Sequence, residues 1–362
     1  MSRAGQSVLI MAGGTGGHIF PGLAVADSLR QLGVEVRWLG ARGGMECQRV
    51  PSWGIPLDVV DISGLRGKGA GRWLRAPWKL LRAVSQAVRL LGENRPACAI
   101  SFGGYAAGPG GLAARLRGVP LLVHEQNRVP GLTNRVLARF ASRVLQAFPG
   151  TWKAGMRPVT CGNPVRQDVA ALPAPEKRLA GRSGPVRLLV TGGSQGARSL
   201  NRLVPGALER VAPGLRVEVR HQCGRGWLEE TTDAYQAAGF EADVTEFIDD
   251  MAGAYGWADL LVCRAGALTV SEVAAAGLAA VFVPFPHAVD DHQTRNAEFL
   301  VERGAALLLA EVGLDAERLA QALNDLLGDR PRQIDMAIRS RAAATPDSAG
   351  QVARLCREFL PS

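Results

Sequence analysis

No stretch of this chain approaches the ~20 consecutive apolar residues that cross a bilayer, so a helical membrane-spanning protein is not expected. The apolar run at the start, Val8–Ala12, breaks into glycines at once; it is too short for a secretory signal and reads as a first strand. Cysteine is sparse: six residues, at 47, 98, 161, 223, 263 and 356, with no C-x-x-C and no zinc spacing. That pattern excludes a disulfide framework and a zinc site, and fits reduced thiols in a cytoplasmic protein. Glycine is abundant, 44 residues, yet has no G-x-y period, which excludes a collagen-like fibre. The dinucleotide fingerprint is missing. Counted from Gly14, its third glycine falls on Ile19, and the second strand ends Trp38-Leu39-Gly40-Ala41-Arg42 without an acid. A nicotinamide enzyme is thereby disfavoured. The single Gly-Lys pair, Gly67-Lys68, is followed by Gly69 where a P-loop needs Ser or Thr.

What is present fits a folded chain of about two domains: 362 residues, 47% apolar and 21% charged. The net charge of +9 is unevenly placed. Residues 1–160 carry 21 Lys and Arg against 7 Asp and Glu, whereas the remainder carries 21 against 26. A strongly basic half implies an anionic partner: nucleic acid, a lipid headgroup or a phosphorylated substrate. No zinc finger, helix-turn-helix or RNP signature is found, so nucleic acid ranks below the other two.

Strand and helix signals alternate along the first half. Strands are expected at 8–11, 34–39, 57–60, 97–101, 121–124 and 144–146, with helical spacing over 18–32, 74–91, 112–116 and 133–140. Residues 163–185 interrupt the rhythm with Pro164, Pro173, Pro175 and Pro185 and read as a linker. The pattern then restarts. Val186–Val190 leads into Gly192-Gly193-Ser194-Gln195-Gly196 as Val8–Met11 leads into Gly13-Gly14-Thr15-Gly16-Gly17. Further strands are expected at 217–219, 244–247, 260–263, 280–283 and 306–309, and helices around 316–327, 333–343 and 348–359. The fold class is therefore α/β: two tandem Rossmann-like, doubly wound parallel-sheet domains facing a cleft. Their expected bounds are 1–162 and 186–362, with the last helix free to pack back on the first domain.

Successive N–H groups at a helix N-terminus attract anions, and glycine lets a phosphate approach. Each Gly turn is also satisfied by a plain βα connection, but two in equivalent places favour a ligand. Gly192–Gly196 also satisfies the hydrolase elbow G-x-S-x-G, with Asp290 or Asp291 and His292 following in the right order. A serine hydrolase on Ser194 is thus a second reading. His18, directly after the first Gly turn, is a candidate general base. His124-Glu125-Gln126-Asn127 closes a strand, where site residues of α/β sheets gather. His221, late in a strand, reads as structural. Cys263–Glu272 follows another strand as small residues and a helix, a second anion pocket, with Glu272 placed to accept sugar hydroxyls or to sit as a favourable N-terminal charge. Asp290–Asn296 is a dense polar stretch suited to sugar or to solvent. In Leu65–Arg82, the cations Arg66, Lys68, Arg72, Arg75, Lys79 and Arg82 interleave with Trp73, Leu74, Trp78 and Leu80. That mixture fits an anionic membrane surface, with Leu81 and Val84 assigned to the core. A non-enzymatic basic-patch binder is a third reading.

The segments GGTGGH (13–18), SGLRGKG (63–69), SFGGYAAGPGG (101–111), HEQN (124–127), GNPVR (162–166), GGSQGARSLN (192–201), TEFIDDM (245–251) and CRAGALTVSEVAAAG (263–277) run through nearly the whole chain in order. Together they resemble the peptidoglycan N-acetylglucosaminyltransferases of glycosyltransferase family 28, which make lipid II from lipid I. The resemblance implies the GT-B architecture and an inverting, metal-independent transfer without a covalent intermediate. UDP-N-acetylglucosamine would be the donor substrate and the undecaprenyl-linked lipid I the acceptor, with no cofactor. It also implies peripheral docking on anionic phospholipids at the cytoplasmic face of the inner membrane through Arg72, Trp73, Arg75, Trp78 and Lys79. Other cell-wall synthesis or division proteins are implied partners, and nucleic acid is not. Carried over by motif, Ser194 and the segment Ala267, Leu268, Thr269, Val270, Ser271 and Glu272 would hold diphosphate and ribose, Glu272 on the ribose. Ile248 would meet the uracil by its backbone, with Arg166 nearby. Gln293, Asn127, Thr15, Gly16 and Gly17 would approach the GlcNAc. His18 or Glu125 would be the base. No D-x-D motif is present, in keeping with helix N-termini rather than a metal on the diphosphate. His292 stands where the family commonly has the first of two adjacent glutamines; Gln293 keeps the second place.

Overall fold

The computed structural model describes residues 6–63, 70–193, 196–286 and 291–361, with no account of the side chains of 70–76. The chain forms two compact units, residues 1–166 with 347–362, and residues 167–346.

The first unit runs β1 (Ser7–Ala12), α1 (Gly16–Gln31), β2 (Glu35–Ala41), α2 (Glu46–Arg49), β3 (Leu57–Val60), α3 (Ala70–Glu93), β4 (Cys98–Gly103), α4 (Ala107–Leu116), β5 (Leu121–Glu125), α5 (Leu132–Leu137), β6 (Arg143–Gln146) and β7 (Val159–Thr160). Its strands form one parallel sheet in the order β3-β2-β1-β4-β5-β6-β7. Every residue of β1 is buried, as a parallel strand covered on both faces requires. Its side chains alternate between two cores. Val8, Ile10 and Ala12 meet Ile19, Leu23 and Leu29 of α1, while Leu9 and Met11 meet Ala83, Ala87 and Leu91 of α3.

The second unit runs α6 (Gln167–Ala170), α7 (Pro175–Arg178), β8 (Val186–Thr191), α8 (Arg198–Leu208), β9 (Val217–Gln222), α9 (Leu228–Ala237), β10 (Ala242–Thr245), α10 (Met251–Trp257), β11 (Leu260–Cys263), α11 (Ala267–Ala276), β12 (Ala279–Phe282), α12 (His292–Val301), β13 (Ala306–Leu308), α13 (Ala316–Leu327) and α14 (Arg330–Ala343). Its parallel sheet is ordered β10-β9-β8-β11-β12-β13. In each sheet the winding reverses beside the strand that leads into a Gly turn, at β1/β4 and at β8/β11. Ligands of doubly wound sheets bind outside the strand ends at that reversal.

Two features differ from the sequence pattern. Residues 167–185, expected as linker, carry α6 and α7 and belong to the second unit. Arg178 donates to the carbonyls of Tyr255, Ala258, Ala276 and Gly277, and burial lowers its pKa to about 10. Arg182 donates to Asp259 and to the carbonyls of Gly256 and Trp257. Pro175 therefore starts a short pinned helix here rather than lying in a free tether. The final helix α15 (Ser348–Arg357), left free to pack back on the first domain, lies in the first unit, where Val352, Ala353 and Cys356 join the α1 side of the core. Finally, Leu81 is 62% exposed and Val84 only half-buried, because Ala83, Ala87 and Leu91 form the buried seam of α3. The periodicity allowed either stripe; the small alanines let α3 approach the sheet and α4 closely. Among the described residues no helix is long and apolar enough to cross a membrane.

Candidate active site

In the first unit the site is built from the ends of β1, β4 and β5. Thr15, exposed and extended, starts α1 without a side-chain cap, so Gly16 and Gly17 present the first turn of the helix at the surface. Gly104, at the end of β4, comes so close that a Cβ there would collide with the backbone of Gly13; its φ of +91° also suits glycine. The two Gly loops thus touch across the switch point, with Tyr105 exposed beside them. Beneath the first turn lies a carboxylate that the sequence analysis passed over. Glu46 is fully buried and accepts hydrogen bonds from Ala41 N (2.8 Å) and Gly14 N (3.1 Å). Side chains at Gly13, Gly40 or Gly44 would run into it.

The HEQN segment divides its labour. Glu125 is buried and accepts four hydrogen bonds: Asn127 N and Nδ2 on Oε1, and Gly131 N and Asn134 Nδ2 on Oε2. Both oxygens are thereby engaged in shaping the 125–134 loop, and Asn127 has its amide committed to the same carboxylate. His18, half-buried on α1, has its Nδ1 3.2 Å from Gln126 Oε1. Gln126 continues to His124, whose ring is fully buried against Phe102 and whose pKa burial lowers to about 4. Of the two base candidates, His18 is the one at the surface. Arg166, half-buried, ends the first of the two chain segments that make up this unit.

In the second unit the corresponding turn follows β8. Ser194 lies outside the described residues. Gly196 has φ +71° and a Cβ there would strike Cys223 O, so the turn hugs the end of β9. α8 opens at Arg198 without a side-chain cap, and α11 opens at Ala267 in the same way. Ala267, Leu268 and Thr269 form the first turn of α11, followed by Val270 and Ser271. Glu272 is buried, and Tyr255 donates its hydroxyl to Glu272 Oε2 at 3.1 Å, fixing the carboxylate. Gln293, in the first turn of α12, accepts from Phe285 N (2.9 Å), and Asn296 ties the same helix to Ala265 O. His292 precedes it, half-buried. Ile248 sits half-buried in the β10–α10 loop.

Arg264, another residue not singled out from its sequence context, is the bracket of this region. It donates to the carbonyls of Val283 and Pro284, to Ser199 Oγ and to Glu311, and lies over the Phe285 ring. The ends of β11 and β12 and the start of α8 are thereby joined by one guanidinium. His221 is structural: buried between Tyr235 Oη and Asn201 Oδ1, with its pKa lowered by burial to about 3. Of the basic stretch, Arg66 and Lys68 lie outside the described residues. Arg72, Trp73 and Arg75 lie on α3 with undescribed side chains, whereas Trp78 is 77% exposed beside exposed Lys79 and Leu81.

Residues 8–146 match the Glycosyltransferase family 28 N-terminal domain, and residues 187–352 the Glycosyltransferase family 28 C-terminal domain. The chain belongs to glycosyltransferase family 28. It is 59% identical over 348 residues to the UDP-N-acetylglucosamine--N-acetylmuramyl-(pentapeptide) pyrophosphoryl-undecaprenol N-acetylglucosamine transferase of Xanthomonas campestris pv. campestris (strain B100), covering 96% of this chain and 81% of that one. It is 53% identical to the enzyme of the same name from Aeromonas hydrophila subsp. hydrophila, covering 98% of this chain and 97% of that one. Among solved structures it is similar to Acinetobacter baumannii MurG, at 42% identity and a TM-score of 0.86, over 98% of this chain and 99% of that one. The calicheamicin glycosyltransferase CalG4, at 16% identity and a TM-score of 0.67, shares the fold alone. The two tandem Rossmann-like domains are thus those of a GT-B glycosyltransferase, and family membership does not favour the serine-hydrolase reading of Gly192–Gly196.

Proposed function

We propose that this chain moves N-acetylglucosamine from UDP-N-acetylglucosamine to the C4 hydroxyl of the muramoyl residue of lipid I, giving lipid II and UDP with inversion. The relatives' names support the reaction. The observation that carries its chemistry is His18, a half-buried imidazole at the first Gly turn, already oriented through Nδ1. In this mechanism His18 Nε2 takes the proton from the acceptor hydroxyl as its oxygen bonds to the sugar C1. The C1–O bond to phosphate breaks, and UDP leaves with the electron pair. The uncapped starts of α8 and α11, with Ser194, accept the developing diphosphate charge, so no metal cofactor is assigned. Glu272, held by Tyr255, takes the ribose hydroxyls. Ile248 and Arg166 serve the uracil; Gln293, Asn127 and the Thr15–Gly17 turn serve the GlcNAc. Glu125 acts as the organiser of the loop that carries Asn127.

A peripheral position on the cytoplasmic face of the inner membrane accompanies this assignment. Its support is the outward face of α3, where Trp78, Leu80 and Leu81 are exposed next to Lys79 and Arg82. Tryptophan and cations together suit an interface of anionic phospholipids. Contacts with other cell-wall synthesis or division proteins belong to the same proposal.

Calorimetric titration with UDP-N-acetylglucosamine, with UDP-glucose as control and EDTA throughout, tests the donor half. Selective heat with the acetylated sugar is expected. Glu272→Ala should weaken UDP-sugar affinity by roughly tenfold or more, the loss of charge-assisted hydrogen bonds worth ~1.5–3 kcal/mol. No binding, or an unaltered affinity in the variant, sinks the corresponding assignment. Transfer to a lipid I analogue tests the acceptor half.

A further inference from the structure

Behind His18 runs a chain of hydrogen bonds that decides where its proton sits. His124 Nε2 lies 2.9 Å from the carbonyl oxygen of Gly162. The Gln126 amide nitrogen lies 3.0 Å from His124 Nδ1 and 3.1 Å from the His124 carbonyl oxygen. Gln126 Oε1 lies 3.2 Å from His18 Nδ1. The Gln126 backbone is anchored as well, since Asn163 Nδ2 donates to its carbonyl at 3.0 Å. His124, Gln126 and Asn163 are all at least 97% buried, so water does not compete for these groups.

The protons follow from donor and acceptor chemistry. A carbonyl oxygen only accepts, so His124 carries its hydrogen on Nε2. Burial holds that ring neutral at pH 7, which leaves Nδ1 as an acceptor. The Gln126 amide must then point its nitrogen at His124. The flipped amide would set its oxygen against both the Nδ1 lone pair and the His124 carbonyl. Oε1 therefore faces His18, and His18 must donate from Nδ1. A neutral imidazole has one N–H, so its lone pair is on Nε2.

We propose that Gln126, locked by His124 and by the Asn163 side chain, is a positioning residue that holds His18 in the tautomer whose Nε2 can accept a proton. This rests on His18 as the base. The logic is that of a base oriented by a third group, with a neutral amide in place of the usual carboxylate. The amide partner is neutral and orients the ring by hydrogen bonding alone. When His18 takes the acceptor proton, Nδ1–H remains on the amide oxygen, and the ring does not turn.

Nitrogen-15 NMR of the wild-type protein labelled on histidine reads the tautomers directly, and the chain has only five histidines. His18 should be protonated on Nδ1 and His124 on Nε2; a His18 protonated mainly on Nε2 overturns the proposal with no variant needed. Gln126→Leu should mix the His18 tautomers and lower kcat on the order of 10- to 100-fold, with KM for UDP-N-acetylglucosamine within about twofold, against roughly 10²–10⁴ for His18→Gln. A large loss in His18→Gln with kcat intact in Gln126→Leu refutes the positioning role alone. An intact kcat in His18→Gln refutes the base and the positioning role built on it, whatever tautomer the spectrum shows.

Discussion

Replacing Glu46 tests whether a buried carboxylate holds the first Gly turn in place. Two backbone N–H groups, Ala41 and Gly14, donate to it, and it is fully buried. Glu46→Ala leaves both donors without a partner, at ~1–3 kcal/mol each, so the first unit should lose about 2–6 kcal/mol. Glu46→Gln keeps the volume and one acceptor but turns an NH2 toward the second donor, for a loss of about 1–3 kcal/mol. In a unit of this size ~1 kcal/mol moves Tm by roughly 2–4 °C. Scanning calorimetry should therefore show a first-unit transition lowered by at least about 4 °C in the alanine variant and by less in the glutamine variant. Because Gly14 belongs to the turn that leads to His18, kcat should fall alongside, whereas affinity for UDP, which the proposal assigns to the second unit, should stay within about twofold. A Tm within about 1 °C of wild type in Glu46→Ala, with unchanged kcat, would refute the argument that this carboxylate shapes the turn.

Acid should destabilise both units. His124 and His221 titrate near 6.5 in an unfolded chain but at about 4 and about 3 when buried, so the unfolded state takes up the proton first. Stability is then full above pH ~7 and falls as pH drops from 6.5 toward 4; at pH 5 His124 alone costs about 2 kcal/mol. Urea midpoints at pH 7 and 5 measure this, and an equal pH dependence in His124→Gln would count against it. On the proposed membrane face, Trp78→Ser combined with Leu81→Ser should weaken binding to anionic phospholipid vesicles by roughly tenfold or more, with Tm nearly unchanged since both side chains are exposed. Unaltered vesicle partitioning would return α3 to the role of an ordinary surface helix.

The order of the strands up to β6 and from β8 to β13, the two Gly turns and the two-unit plan were legible in the residues themselves. Periods of 2 and 3.6 and the demand of tight βα turns for glycine are local, so they survive in a one-dimensional reading. The positions of His18 and Glu272 could be singled out for the same reason, since each stands a fixed few residues from a turn of glycine or other small residues. The choice of buried stripe on α3 was not. Leu81 fits a helical apolar face as well as Ala83 does, and only the closeness of sheet and α4 selects the smaller residue. Proline density likewise marked the segment after Asn163 as irregular, but the carbonyls at the end of α11 that receive Arg178 lie far along the chain. The supports of the site are of this second kind. Glu46 reaches Gly14 across 32 positions, and Gln126 reaches His18 across 108. Sequence alone determined where helices start and where glycine must stand, because those depend on neighbours in the chain. Tertiary structure alone decided which polar groups meet beneath the turns, because a parallel sheet brings together strand ends that lie far apart in sequence.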